Sequence, residues 1–407
     1  MLFSQFISAD GPAGIIQTII SILFLGMIFL YPRLMISNVV SKLEKELESL
    51  ETLTEDSIDT TAKAMGGPFK ENKAAIKRAI EFFASPPIDV DPTGIVPKLD
   101  KTIREIRGTF EAFVIKNADT RDPVKIMNLE AAVLHTANNH MISKIVKHFL
   151  VLVKKHKNLQ IAMIVQMQMP MIREASEIMN KSVKAFVNEE PVGDGLGPLV
   201  AATLAGESKV IRLKDAEMVY SIVNIKGRRC IITKADGPGA NIGYPGVAAV
   251  GLMKKYKPAR VITVDASSKL EGEKTGTLAE GVGVAMNPQS GVVERFIMEG
   301  YATRKKIPID AVVVKMGNED AFAWMPKEVA GAVPAAVGYV KEKIELVQKG
   351  RTVMIMGIGN TVGVGNNAKE LRATETVLQR GFKKIAAAKA EKEKDRPFWS
   401  RGKAEED

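Results

Sequence analysis

PVGDGLGPLVAATLAG, residues 191–206, has the pattern of an acidic, glycine-rich turn that leads into a helix. In α/β proteins such a turn follows a β-strand. The residues before it, 175–190, read ASEIMNKSVKAFVNEE and have a helical pattern without a strand. We therefore expect the strand that belongs to this turn to come from another part of the chain.

The far end of the chain offers such a strand. Residues 353–360 read VMIMGIGN, and in front of Gly193 they would make one continuous strand, turn and helix. We therefore predict that strand 352–358 lies before the 193 turn and that the domain is circularly permuted. Such joins are tolerated where the two ends of a domain meet at its surface.

The residues after Glu190 have the composition of an α/β domain. Gly and Pro are frequent, and β-branched runs alternate with helical patterns, which predicts a mainly parallel sheet with helices on its faces. The first two runs are separated by a short turn and predict a hairpin. The predicted strands are 216–225, 228–235, 259–265, 309–316 and 351–358, and the predicted helices are 245–257, 322–349 and 366–381.

The N-terminal region predicts a membrane anchor. No charged residue occurs between Asp10 and Arg33, and a helix over 13–32 would be about 30 Å long, close to the thickness of a bilayer core. No basic segment precedes the apolar run and no Ala-x-Ala site follows it, which argues against a cleaved signal peptide. The cations from Arg33 onward predict a single-pass protein of the cell membrane with its N-terminus outside and its larger part in the cytoplasm.

Apolar residues recur at steps of three and four after the anchor, at Ile36, Val40, Leu43, Leu47 and Leu50. This pattern is typical of a short parallel coiled coil, which would join two copies of the chain into a homo-oligomer. It equally fits a stalk helix that packs on its own domain.

These patterns divide the chain and limit its partners. The single cysteine, Cys230, fits a reducing compartment. The net charge of +10 is spread along a chain with few aromatic residues, which favours anionic lipid over nucleic acid as a partner.

The predicted segments are a short extracytoplasmic tail (1–12), the transmembrane helix (13–32), a juxtamembrane stalk (33–66), an all-α domain (67–190), the α/β domain (191–385) and a disordered charged tail (386–407).

Four loops are predicted at the carboxyl ends of the strands, where α/β sheets bind ligands. Asp265 stands at the tip of the strand RVITV. Glycines in these loops allow close backbone approach to a ligand, although the same residues also make ordinary strand-to-helix turns. The residues predicted to bind a ligand or cofactor are Gly237, Gly239, Gly357, Gly359 and Asn360.

Read in the permuted order, residues 191–385 resemble the hydrogenase-maturation endopeptidases and the germination proteases, which share a phosphorylase/hydrolase-like fold. The resemblance implies a sandwich of that type. The combination of anchor, helical domain and glycine-rich α/β part also resembles an uncharacterised archaeal family of membrane proteins with a domain of unknown function. The motifs that carry the first resemblance are GIGN (357–360), GDGLGPLVA (193–201), VDASS (264–268), TGTLAEGVG (275–283) and the strand and long helix at 309–344.

The resemblance also implies a site. In the hydrogenase endopeptidases two carboxylates and a histidine hold a metal ion, and the matching carboxylates here are Asp194 and Asp265. No histidine follows His156, so Glu280 or Glu294 would have to serve as the third ligand of a divalent metal ion. The germination proteases imply a route without metal, in which two acids act as general acid and base on a water molecule.

Three functions remain open at this point. The first is a membrane-tethered, peptidase-like hydrolase of a protein or peptide substrate, with Asp194 and Asp265 activating water and amides near Gly239 and Gly359 binding the oxyanion. The second is a non-catalytic sensor of a nucleotide, a phosphate or a peptide end. The third is an assembly protein that uses the stalk and the helical domain as a platform.

Overall fold

The computed structural model describes residues 12–81, 94–286 and 291–395. The chain forms two compact units, of which the first consists of Met1–Asp56 and Asn138–Glu177. The second consists of Ser57–Ala137 and Ile178–Asp407. The segment predicted as one all-α domain, 67–190, therefore contributes residues to both units.

Long helices make up the helical part of the chain. A single helix, α1 (Pro12–Ala64), contains both the predicted transmembrane segment and the predicted stalk. The helices that follow are α2 (Phe69–Ala79), α3 (Ile95–Asn117), α4 (Pro123–His156) and α5 (Leu159–Val187). The predicted break near residues 117–123 is confirmed, and the other, at 85–97, lies mostly outside the described residues.

The stalk seam is buried inside the first unit. Leu43 and Leu50 of α1 have no exposed surface, because they pack with Val39 and Leu47 against a set of apolar side chains from α4 and α5. Ion pairs flank this seam, from Lys154 to Glu44 at 2.5 Å and from Lys147 to Glu51 at 2.9 Å. The seam is therefore not free for a coiled coil between two copies. Of the two interpretations, the stalk helix that packs on its own domain is the one that fits these residues. The set on α4 and α5 is Val146, Leu150, Val153, Ala162, Val165 and Met169.

The N-terminal part of α1 has a different surface. The large apolar side chains described between Ile15 and Leu34 are mostly about half exposed or more, such as Leu23 at 65% and Leu30 at 56%. By length and composition, α1 is a helix that can cross a membrane.

A seven-stranded sheet forms the centre of the second unit, in the order β1-β2-β3-β7-β4-β6-β5. β7 pairs in parallel with β3 and β4, and β4 pairs in parallel with β6. The predicted hairpin of β2 and β3 is confirmed. The strands are β1 (Ile211–Leu213), β2 (Met218–Ile225), β3 (Arg228–Ala235), β4 (Arg260–Ser268), β5 (Leu278–Val282), β6 (Ile309–Met316) and β7 (Thr352–Gly357).

The prediction of a mainly parallel sheet is wrong at its edges. β1 pairs antiparallel with β2, and β5 pairs antiparallel with β6, so the sheet is mixed. Neither edge strand was predicted. β1 has three residues, and β5 reads LAEGV with Val282 almost fully exposed, so neither carries the apolar alternation that marks a longer, half-buried strand.

Helices cover both faces of the sheet, as predicted. On one face α6 (Leu196–Ala205) and α11 (Val333–Glu345) pack on the strands together with α12 (Ala368–Asp395). On the other face lie α7 (Pro245–Tyr256) and α8 (Val292–Arg304). Two short helices, α9 (Asn318–Phe322) and α10 (Lys327–Gly331), follow β6.

The C-terminal segment differs from its prediction. Disorder was expected from residue 386, but α12 continues to Asp395. The sequence KKIAAAKAEKEKD contains good helix formers with Glu and Lys at helical spacing, which favours a helix. Residues 396–407 lie outside the described residues.

β7 reaches the turn that opens the α/β region. A Cβ on Gly197 of α6 would lie 2.2 Å from the carbonyl oxygen of Ile358 and 2.5 Å from that of Val264. A Cβ on Gly359 would lie 1.9 Å from the carbonyl oxygen of Asp194. The end of β7 thus contacts the 193 turn, which is the position predicted for it from the sequence.

Candidate functional site

A cavity of about 390 Å³ lies at the carboxyl ends of β4, β6 and β7. The ends of β4 and β6 and the segment after β7 line it, because parallel strands present their carboxyl ends at the same edge of a sheet. β4 contributes Asp265, the segment after β7 contributes Gly359, and the turn before α6 contributes Asp194.

Asp194 is oriented by the segment after β7. Its Oδ2 accepts a hydrogen bond of 2.7 Å from the backbone N–H of Asn360. Burial raises the pKa of Asp194 to about 6, although the hydrogen bond from Asn360 opposes this shift. The side chain still has some exposed surface, and the carboxyl group therefore titrates near neutral pH in contact with the cavity.

Asp265 lies deeper than Asp194. Only 5% of its surface is exposed, and its Oδ1 accepts a hydrogen bond of 2.7 Å from the N–H of Ala266. Burial raises the pKa of Asp265 well above its ordinary value, and the charge of Asp194 raises it further. The structure therefore brings the two predicted acids into one cavity and couples them electrostatically.

A third acid, Glu294 of α8, lines the same cavity. Its Oε2 accepts hydrogen bonds from the N–H groups of Gly246 and Val247, at 2.6 and 3.4 Å. These amides are the free donors at the start of α7, so the carboxylate caps that helix. Burial raises the pKa of Glu294 as well.

Comparison with protein families divides the chain between residues 189 and 192, a boundary different from that of the two compact units. Residues 17–189 match a protein of unknown function (DUF1512), N-terminal domain, and residues 192–365 match a domain of unknown function (DUF1512), C-terminal. The chain belongs to the DUF1512 family. The DUF1512 C-terminal domain contains all seven strands and every residue that lines the cavity. A comparison with curated proteins gives no match.

The glycines predicted to bind a ligand have different roles in the DUF1512 fold. Gly359 lines the cavity, and its N–H donates no hydrogen bond to any residue that the structure describes. Gly357 lies inside β7, where a Cβ would be 2.2 Å from the carbonyl oxygen of Gly197. Gly239 packs on Met127, which would lie 2.5 Å from a Cβ at that position. Of these three, Gly359 alone contributes to the cavity.

Gly237 belongs to a separate polar cluster, which the sequence did not predict. Lys234 is 2% exposed, and its Nζ donates to the carbonyl oxygen of Ala235 and to Oδ1 of Asn366. Burial lowers the pKa of Lys234 to about 7. Asn366 also accepts a hydrogen bond from the N–H of Gly237. The cluster therefore shapes the loop after β3, and Gly237 does not line the cavity.

Asn360 acts through its backbone. Its N–H holds Asp194, and its side-chain Oδ1 accepts a hydrogen bond of 2.9 Å from the N–H of Val362. The side chain thus stabilises its own turn and does not line the cavity, unlike the ligand-binding role predicted for it.

The residues do not fit the metal centre that the family resemblance implied. Of the two predicted third ligands, Glu280 lies on β5 and pairs with Lys343 at 2.5 Å, whereas Glu294 lines the cavity with its Oε2 bound by the amides of α7. Among the described residues, no group of three or more His, Cys, Asp or Glu side chains is arranged to hold a metal ion. Asp194 and Asp265 share the cavity without Glu280, because β5 pairs with β6 in the register that aligns Glu280 with Val312.

Proposed function

We propose that this DUF1512 protein is a membrane-tethered, peptidase-like hydrolase that uses Asp194 and Asp265 as a general acid and base pair. The observation that carries the proposal is that two acids with raised pKa values line one cavity. Asp265 is the more deeply buried, and the charge of Asp194 raises its pKa further, so Asp265 is assigned as the acid and Asp194 as the base. Pairs of carboxyl groups that lie in unequal environments divide the roles of acid and base between them.

The chemistry needs no metal. Asp194 takes a proton from a water molecule as the water oxygen attacks the carbonyl carbon of an amide. Asp265 donates its proton to the carbonyl oxygen, and the free N–H of Gly359 stabilises the charge that develops there. The C–N bond then breaks as the proton held by Asp194 passes to the leaving nitrogen, and Asp265 takes a proton back from a hydroxyl group on the same carbon, which leaves a carboxylic acid, an amine and both side chains in their starting states.

The fold supports the same proposal. The end of β7 contacts the 193 turn, and this contact supports the strand, turn and helix order of the hydrogenase-maturation endopeptidases and germination proteases. We propose that the DUF1512 C-terminal domain is a circularly permuted, phosphorylase/hydrolase-like relative of those enzymes, in a membrane protein of archaeal origin. The exposed apolar segment of α1 supports the tether, with the catalytic domain in the cytoplasm.

The cavity gives less support to a sensor of nucleotide or phosphate. Three acids line it, and no Lys, Arg or His does among the described residues. Bound phosphate requires cations or convergent amides. If the protein is a sensor, the lining of this cavity therefore favours a peptide as its ligand.

A peptide library derived from a proteome tests the hydrolase, with cleavage products identified by mass spectrometry. We expect the full chain in detergent to cleave a subset of peptides, and Asp265→Asn and Asp194→Asn to lower the rate at least about 100-fold, the usual contribution of a general acid or base. Asp215→Asn, at an exposed position, is the matched control. Equal cleavage by all four proteins, or by none, would contradict the proposal.

A further inference from the structure

We propose that the cavity of Asp194, Asp265 and Glu294 binds an organic cation that carries N–H donors, either a primary ammonium or a guanidinium group. The identification of this cation as part of the substrate, a lysine or arginine side chain or a free amino terminus beside the cleaved bond, rests on the proposed function. The binding of the cation does not.

The charge of the cavity is the first argument. Three carboxyl groups line it, and no basic side chain does within the residues that the structure describes. Residues 287–290 are Asn, Pro, Gln and Ser, so that segment adds no charge. Burial makes the charged form of each acid costly and raises its pKa, and the charge of Asp194 adds to this cost at Asp265. A bound cation would offset it.

The nearest cation on α3 is already engaged. Arg104, whose charge reaches Glu294, donates from Nε to both carboxylate oxygens of Asp100, at 3.1 and 3.0 Å. Its guanidinium carbon also lies 3.6 Å from the ring centre of Tyr244. Arg104 does not line the cavity, so no described side chain that lines the cavity supplies a counter-charge.

Hydrogen bonding is the second, independent argument. Each of the three carboxyl groups has one oxygen fixed by backbone N–H groups: Oδ2 of Asp194, Oδ1 of Asp265 and Oε2 of Glu294. The other oxygen of each has no hydrogen-bond partner among the described residues. For Asp265 this oxygen belongs to a side chain that is 95% buried and lines the cavity. The site therefore presents oriented acceptors, which an ammonium or guanidinium group satisfies with three or five donors.

The remaining lining favours a cation on an alkyl stem. Ile242, Met286 and Phe322 line the cavity beside the acids. The methylene groups of a lysine or arginine side chain pack on apolar surface while the charged head reaches polar partners. A volume of about 390 Å³ is within the range of small-molecule sites.

Thermal unfolding of the full chain in detergent, followed by tryptophan fluorescence, tests the binding. The probes are n-butylammonium and n-butylguanidinium, compared at equal ionic strength with n-butanol, butyrate, tetramethylammonium and Mg²⁺. We expect the two N–H cations to raise the unfolding midpoint by an amount that saturates with concentration, and the other compounds to leave it unchanged. No shift from either cation, an equal shift from butanol or tetramethylammonium, or a shift from Mg²⁺ alone would overturn the proposal.

Glu294→Gln supplies the site-specific arm, because it removes the charge and keeps an oxygen that can cap α7. We expect it to weaken binding of butylammonium at least about tenfold, the effect of losing one hydrogen bond to a charged group. Glu342→Gln, on the exposed surface of α11, should bind as the wild type does. Equal affinity of the two variants for butylammonium would show that the cation does not bind at Glu294.

Binding and cleavage measurements on the same proteins distinguish a failure of the cation site from a failure of the proposed function. Cation binding without cleavage of any peptide would leave the cation site standing and contradict the hydrolase. Cleavage that shows no preference for Lys, Arg or a free amino terminus, together with no binding of butylammonium, would contradict the cation site and leave the hydrolase standing.

Discussion

Asp194 is held in place by an amide that lies 166 positions further along the chain. The raised pKa of this side chain has a consequence for stability, because the native state binds the Asp194 proton more tightly than the unfolded chain does. As pH rises from about 4, the unfolded value, to about 6, the native value, the free energy of unfolding falls. Above that window the folded protein carries the full cost of the buried charge.

Removal of this charge should stabilise the protein at high pH only. Two pKa units correspond to about 3 kcal/mol, and because Asp194 keeps some contact with solvent we expect Asp194→Asn to raise the free energy of unfolding by about 1–2 kcal/mol at pH 8. At pH 4 the variant and the wild type should unfold alike, and Asp215→Asn should change neither value. Chemical unfolding at the two pH values measures this. Destabilisation by Asp194→Asn at pH 8 would show that the ionised carboxylate contributes favourably to the fold.

At the scale of elements, the packing of α6 on β7 depends on glycine. Gly197 lies inside α6, where alanine is usually better by about 1 kcal/mol, but its Cβ would meet two carbonyl oxygens at 2.2 and 2.5 Å. We expect Gly197→Ala to lower the free energy of unfolding by about 3 kcal/mol. Gly338→Ala, in α11 with no atom within 4 Å of the added Cβ, should raise it by about 0.5–1 kcal/mol. The same sign for both variants in chemical denaturation would contradict the packing described here.

The seam of α1 gives a second prediction about elements. Leu43→Ala removes a side chain that has no exposed surface, so we expect a loss of about 2–5 kcal/mol. Hydrogen exchange should accelerate in α4 and α5 at residues 146–169, which contact the seam. Lys45→Ala, on the exposed side of the same helix, should stay within about 0.5 kcal/mol. If Leu43→Ala instead changed the oligomeric state alone, the seam would have to lie between copies of the chain.

At the scale of the whole molecule, the apolar end of α1 predicts association with a membrane. An arginine at the centre of a spanning helix costs about 2.5–3.5 kcal/mol, so the double variant Leu23→Arg and Met27→Arg should leave the membrane fraction on carbonate extraction. Arginine at Leu270 and Val282, which are 73% and 94% exposed in the second unit, should not change the extraction. Release of the wild-type protein by carbonate would contradict the tether.

The elements of this DUF1512 chain could be read from local patterns. Five strands and the helices α6, α7, α11 and α12 follow from patterns of ten or so neighbouring residues, whereas α8 was not predicted. The short strands β1 and β5 could not be read in this way, because edge strands of three and five residues bury too little apolar surface to need a regular pattern. Without them the sheet was predicted as mainly parallel, and the pairing of Glu280 with Lys343 was missed.

Local sequence patterns were enough to locate five of the seven strands, to show that α1 is long and apolar enough to cross a membrane, and to place Asp194 in a turn and Asp265 near a strand end. Tertiary packing was needed to show that Glu294 joins those acids and that Glu280, Gly237 and Gly239 do not. Only it decided that the stalk seam closes on α4 and α5. The physical reason is that these outcomes depend on strand register and helix packing between residues far apart in the chain, which local patterns do not encode.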